Sequence, residues 1–126
     1  MHGVPVDLPI SRFVGCTLDQ ICIGEHQLQF HFSGEGGLGG GSISVEGGWE
    51  LRNSGDTLVD SAQEHAERPA YHIHLIISHT VSRFTIDAPR SFTLFFDSGH
   101  RFIVYDDSDR YETFSVIPRG EAGVYI

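Results

Sequence analysis

Wherever this chain is apolar, apolar and polar positions alternate with a period of two. Leu28, Phe30 and Phe32 alternate with Gln29 and His31, and Ile43 and Val45 flank Ser44. Farther on, Tyr71, Ile73, Leu75 and Ile77 alternate with His72, His74 and Ile76, and Phe92, Leu94 and Phe96 with Thr93 and Phe95; Phe102 and Val104 flank Ile103. A strand turns successive side chains to opposite faces, so this pattern predicts half-buried antiparallel strands. Ser33-Gly34, Gly47-Gly48, Ala88-Pro89 and Ser98-Gly99 fall between the runs and read as turns joining hairpins.

The pattern is written twice. "LDQICIGEHQLQFHFSG" from Leu18 matches "VSRFTIDAPRSFTLFFDSG" from Val81: Leu18, Ile21 and Ile23 align with Val81, Phe84 and Ile86 at an offset of 63. Leu28, Phe30 and Phe32 align with Phe92, Leu94 and Phe96 at 64, the Ile43–Val45 strand with Phe102–Val104 at 59, and "WEL" with "YET" at 62. The last match makes Trp49 and Tyr111 paired core anchors and Glu50 and Glu112 equivalent carboxylates. A unit of about forty residues buries too little apolar surface alone, so the copies are expected to pack on each other around a pseudo-twofold axis. The fold class that follows is mainly β: two duplicated antiparallel meanders forming a small sandwich or barrel-like sheet in a single domain spanning 1–126. Repeat 1 covers about 14–52 and repeat 2 about 71–117. Between them, residues 53–70 read as a polar linker, with a short helix in "DSAQEHAER" capped by Asp60 or Ser61 as its only candidate helix.

Charge narrows the function classes. Seventeen acidic residues oppose eight basic ones, all arginine, for a formal charge of −9. Nucleic acids and anionic membranes need clustered positive charge and are not expected partners. The start carries no basic-then-apolar leader and no run is long enough to cross a bilayer, so a soluble cytoplasmic protein is expected. Cys16 and Cys22 read as small apolar residues rather than a bridge.

The chemical motifs are weak. "GEGGLGGGS", residues 34–42, contains Gly-x-Gly-x-x-Gly, but a dinucleotide site needs a helix to follow and a strand is expected instead. His72 and His74 share one face of the 71–77 strand, a spacing that seats two metal ligands, with no carboxylate following until Asp87. Asp106 to Glu112 lacks the sharp-turn glycine of a calcium loop. No nucleophile elbow or Cys-His signature is present, and Glu50 and Glu112 read as strand residues before they read as an acid/base pair. No catalytic residue, metal or cofactor is assigned, and the chain is expected not to be an enzyme.

"SFTLFFDSGHRFIVYDDSDRYETFSV" resembles a pattern of small uncharacterised bacterial β-domain proteins, an alternating Leu-x-Phe strand, a turn, and a closing Tyr-Glu-Ser/Thr-Phe strand. "GWELR" corresponds to the Trp-x-Leu strand of their first halves. Such proteins are similar to immunity proteins of polymorphic-toxin and contact-dependent inhibition systems. The resemblance implies binding and blocking a toxin, with no catalytic residues to carry over, and a monomer or homodimer is expected. An acidic protein gains association rate toward a basic toxin domain by steering. The expected partner-binding residues are the linker acids Asp56, Asp60, Glu64 and Glu67 and the late acidic run Asp106, Asp107 and Asp109. The alternatives are a small-ligand or metal-binding β-module and a structural or regulatory subunit of an oligomer.

Overall fold

A computed structural model describes residues 3–34, 40–63, 68, 70–106 and 114–118, together with the backbone of 124–125. The copies appear as two hairpin-linked trios of strands. In the first, β1 (Thr17–Ile23), β2 (Leu28–Ser33) and β3 (Gly40–Val45) run antiparallel; β4 (Trp49–Arg52) and β5 (Leu58–Ser61) follow. In the second, β6 (Val81–Asp87), β7 (Ser91–Phe96) and β8 (Arg101–Tyr105) are followed by β9 (Phe114–Pro118) and a two-residue β10 (Val124–Tyr125).

Each trio is completed by the other copy's fourth strand. The first sheet is ordered β1-β2-β3-β9-β10 and the second β5-β4-β8-β7-β6. The result is a mainly β sandwich of two antiparallel sheets, in which β4 and β9 have changed places.

The pseudo-twofold axis passes between Thr17 and Thr80, which form an isolated bridge and whose hydroxyls lie 3.3 Å apart. Hydrogen bonds around it come in matched pairs 63 residues apart. Leu18 N–H donates to His79 O at 3.0 Å and Val81 N–H to Cys16 O at 2.9 Å; Gly15 N–H donates to Val81 O and Ser78 N–H to Leu18 O. Gly15 and Ser78 both take positive φ, 86° and 75°, so the second copy holds a serine where the first uses the residue suited to that turn. Bulges recur too, between Leu18 and Gln20 and between Val81 and Arg83. Both lie on edge strands, where a bulge raises the local twist and is a common means of blunting an edge.

The inward rungs carry the apolar half of the alternation. Leu28, Val45 and Phe114 share one rung of the first sheet, and Trp49, Val104 and Phe92 one of the second. Phe30 meets Phe102 across the sandwich at 4.7 Å and Phe92 meets Phe114 at 5.1 Å. Val4, Leu8 and Ile10 join the same core, although they lie ahead of the first repeat, where apolar residues alternate with Pro5, Asp7 and Pro9.

Three expectations are corrected. Residues 71–77 do not form a strand: Ile73–Ile76 is a 3₁₀ turn, matched in the first copy by Ser11–Phe13, and its buried residues are Ile73 and Ile76, three apart as that turn requires. In the stretch read as a linker, Leu58–Ser61 is edge strand β5, so Asp60 and Ser61 are strand residues and not helix caps; residues 64–67 lie outside the described chain. Finally, Trp49 pairs with Val104 and Phe114 with Val45, so the counterpart of Trp49 is Phe114 at an offset of 65. The "WEL"/"YET" match slips by three residues. Glu50 corresponds to Ser115, and the equivalence of Glu50 with Glu112 falls; Tyr111 and Glu112 themselves lie outside the described residues.

No helix among the described residues is long and apolar enough to cross a membrane.

Phe102 touches both Phe30 of the opposite sheet and Trp49 of its own. Phe102→Ala is expected to lower the unfolding free energy by about 3–5 kcal/mol in urea titrations. Thr93→Ala, on the outward side of the neighbouring strand, is expected to cost less than about 1 kcal/mol.

Candidate functional site

Of the seven acids expected to bind a partner, Asp56, Asp60 and Asp106 lie among the described residues, and one of these is not at the surface. Asp60 is buried on the inward rung beside Leu51. Its carboxylate takes the Arg68 guanidinium at 2.8 Å and the backbone N–H groups of Ser61, His72 and Ile73 at 2.8–2.9 Å. Arg68 also donates to Ser61 O and lies over the Tyr71 ring at 4.0 Å. This is a strut tying β5 to the start of the second copy, and a buried, fully engaged carboxylate is unavailable to a partner. Asp56 is exposed but hydrogen-bonded by Arg101. Asp106 is half-buried, with its N–H on Arg90 O. Glu64, Glu67, Asp107 and Asp109 lie outside the described residues.

The candidate histidine pair changes as well. His72 caps the start of a 3₁₀ turn and His74 lies within it, instead of the two sharing a strand face, and no three metal-ligating side chains gather among the described residues. Both cysteines are free; burial and the nearby Asp19 carboxylate push the Cys16 thiol up.

What the fold does assemble lies on the outward face of the second sheet. Register places Arg83, Phe95, Arg101 and Arg52 on one rung across β6, β7, β8 and β4. Thr85, Thr93, Ile103 and Glu50 form the next rung. Arg83 stacks on Phe95 with its guanidinium carbon 3.6 Å from the ring centre. Tyr105 donates to Glu50 Oε1 at 2.9 Å, and Arg52 reaches the same carboxylate at 3.2 Å. Burial and the Glu50 acceptor push the Tyr105 phenol up, while Glu50 holds Arg52 above its usual value.

Beside the arginine rung is a cleft of about 500 Å³, lined by Ser54, Asp56, Ser82, Arg83, Phe95, Phe96, Gly99 and Arg101. One wall is the β4–β5 turn, where Asn53 Oδ1 accepts the N–H groups of Gly55 and Thr57 and holds Asp56 in a left-handed conformation. That turn approaches Gly99 closely: a side chain there would sit 3.1 Å from Ser54 Cβ, and its φ of +90° also favours glycine.

The equivalent face of the first sheet is different. Where the second sheet has Arg83, Phe95, Arg101 and Arg52, the first has Gln20, His31, Ser42 and Ile117; where it has Thr93, Ile103 and Glu50, the first has Gln29, Ser44 and Ser115. Apart from the Asp60 position, inward columns stay mainly apolar in both copies, so most of the divergence lies on the outside. The arginine rung, the Glu50 rung beside it and Asp56 at the cleft together hold Arg52, Arg83, Arg101, Glu50 and Asp56, a net +1, which leaves −10 for the rest of the chain. Arginine and aromatic side chains are enriched where interfaces carry their binding energy, and serine is depleted there. The acids and histidines that stood out in the sequence missed these residues. The signal that finds them is the comparison of outward positions between copies.

Burial alone would raise the Asp60 carboxyl, but the His72 N–H, the Arg68 guanidinium and the Ser61 N–H hold it below its ordinary value. A depressed folded value makes its stabilisation present above the unfolded pKa, about 4. That stabilisation is lost as pH falls through the folded value. Asp60→Asn is expected to lower stability by about 3–5 kcal/mol at neutral pH. It should also flatten the acid limb of the urea midpoint against pH; an unchanged acid limb would show that other carboxylates govern it.

No family model, curated protein or solved structure matches this chain.

Proposed function

We propose that this chain is a non-enzymatic binding protein that engages a polypeptide partner through the outward face of its second sheet. The observation that carries the reading is the one-sided divergence of a duplicated fold: one outer face bears Gln20, His31, Ser42 and Ser44, the other Arg83, Phe95, Arg101 and Ile103 at the same positions. Strand sterics and burial act alike on both faces, so they do not select arginine and phenylalanine for one and serine for the other. Partner contact does. The resemblance to immunity proteins adds that the partner is a cytoplasmic toxin domain and that covering its surface is the whole activity. In this reading the acidic surround steers a basic partner from a distance, and the arginine and aromatic side chains make the close contact.

The test is affinity recovery from source cells with the wild-type chain and two paired variants, each shown by urea unfolding to remain folded. Phe95→Ser with Tyr105→Ser on the second sheet is expected to lose a polypeptide partner by more than about thirtyfold, the scale of an interface hot spot. Ser42→Arg with Ser44→Arg on the first sheet is expected to retain it. The reverse pattern, or equal loss by both, overturns the assignment of the face.

A further inference from the structure

We propose that the cleft between Arg83 and Arg101 takes a carboxylate-bearing, extended segment of the partner, that is, a locally acidic peptide. The inference rests on the recognition face proposed above and names the chemistry it recognises.

Arg83 has no carboxylate within ion-pair distance among the described residues, in a chain with more than twice as many acids as bases. It is exposed, yet stacking on Phe95 at 3.6 Å holds its planar fork in place. Holding a guanidinium in advance lowers the entropy lost when a carboxylate binds it. Arg101 sits on the other side of Phe95 in the same rung and donates to the exposed Asp56 through Nη2. Arg101 lines the cleft, and a guanidinium carries five N–H donors, so the bond to Asp56 leaves others for a ligand. Ser54 and Ser82 add polar side chains to the same lining, although the Ser82 hydroxyl already donates to Phe95 O at 3.0 Å.

Spacing favours an extended peptide. The backbones of β6 and β8 stand about 9–10 Å apart across β7. Residues i and i+2 of an extended segment lie about 7 Å apart on one face. An arginine side chain is long enough to make up that difference, and each of the two can take one carboxylate in a charge-assisted pair. A nucleic acid fits less well. Its charges continue past the rung and meet a surround of −10. A short acidic segment places its charge at the arginines, and the more distant acids are screened within about 8 Å at physiological salt.

The experiment is an amide NMR titration of the whole chain with a capped Glu-Val-Glu-Val-Glu-Val peptide, its Gln-Val counterpart and a thymidine hexanucleotide. The Glu-Val peptide is expected to give saturable shifts at Ser82, Arg83, Phe95 and Arg101, weakening with salt, and the Gln-Val peptide none. Arg83→Gln, at an exposed position, is expected to weaken binding about tenfold or more without moving the urea midpoint. Equal binding of the Gln-Val peptide, equal or tighter binding of the hexanucleotide, shifts centred elsewhere, or no saturation at millimolar peptide overturns the proposal. So does a dimer in sedimentation that Arg83→Gln dissociates, since the occupant would then be a second copy. If the peptide fails while Phe95→Ser with Tyr105→Ser still abolishes partner recovery, the carboxylate assignment falls and the recognition face stands.

Discussion

The exchange of fourth strands between the two copies is the constraint on which the rest of the molecule depends. β4 leaves the first trio to pair with β8, and β9 leaves the second to pair with β3. Neither copy then has a complete sheet or a closed core of its own, and Trp49 and Phe114 enter the one shared core from the sheet of the opposite trio. The matched hydrogen bonds around Thr17 and Thr80 fix the two halves at the axis. Unfolding one copy alone would therefore strip apolar surface from both, which favours a single cooperative unit.

That interlocking explains where the copies were free to diverge. Inward rungs face a shared core packed to near-crystalline density, where a change of even one methylene is felt. Most outward positions are half-buried or exposed, Ser91 and Ser115 excepted, and carry less restriction. The loops diverged as well: the first copy is longer between β2 and β3, the second between β8 and β9, where the acidic run Asp106, Asp107 and Asp109 falls. The Asp60–Arg68 strut is a further asymmetry. By register the position matching Asp60 is Val124, so the inward carboxylate guards one open sheet edge and not its counterpart.

Much of this fold was legible along the chain. Period-two alternation located β2, β3, β7 and β8, and the offsets of 63, 64 and 59 identified the duplicated trios, because inward side chains are selected by a core that both copies share. Three short elements were not legible. Ile73–Ile76 alternates like a strand but turns as a 3₁₀ element, a period ambiguity that four residues cannot resolve. Leu58–Ser61 is polar enough to read as linker, because an edge strand with a paired inward carboxylate has little apolar signature. The Trp-Glu match placed the closing strand three residues early, since nothing in the local sequence sets the register of a strand that pairs in the opposite sheet.

By itself, then, the sequence determined the β class, the duplication and the identity of most core residues. These follow from which side chains avoid water at every second position. Only the tertiary structure decided that the copies exchange strands, that Asp60 is an internal strut, and that Arg52, Arg83, Phe95 and Arg101 stand on one rung. The physical reason is that a rung is a property of pairing between strands far apart in the chain. Its members lie at positions 52, 83, 95 and 101, and only hydrogen-bond register brings them into line.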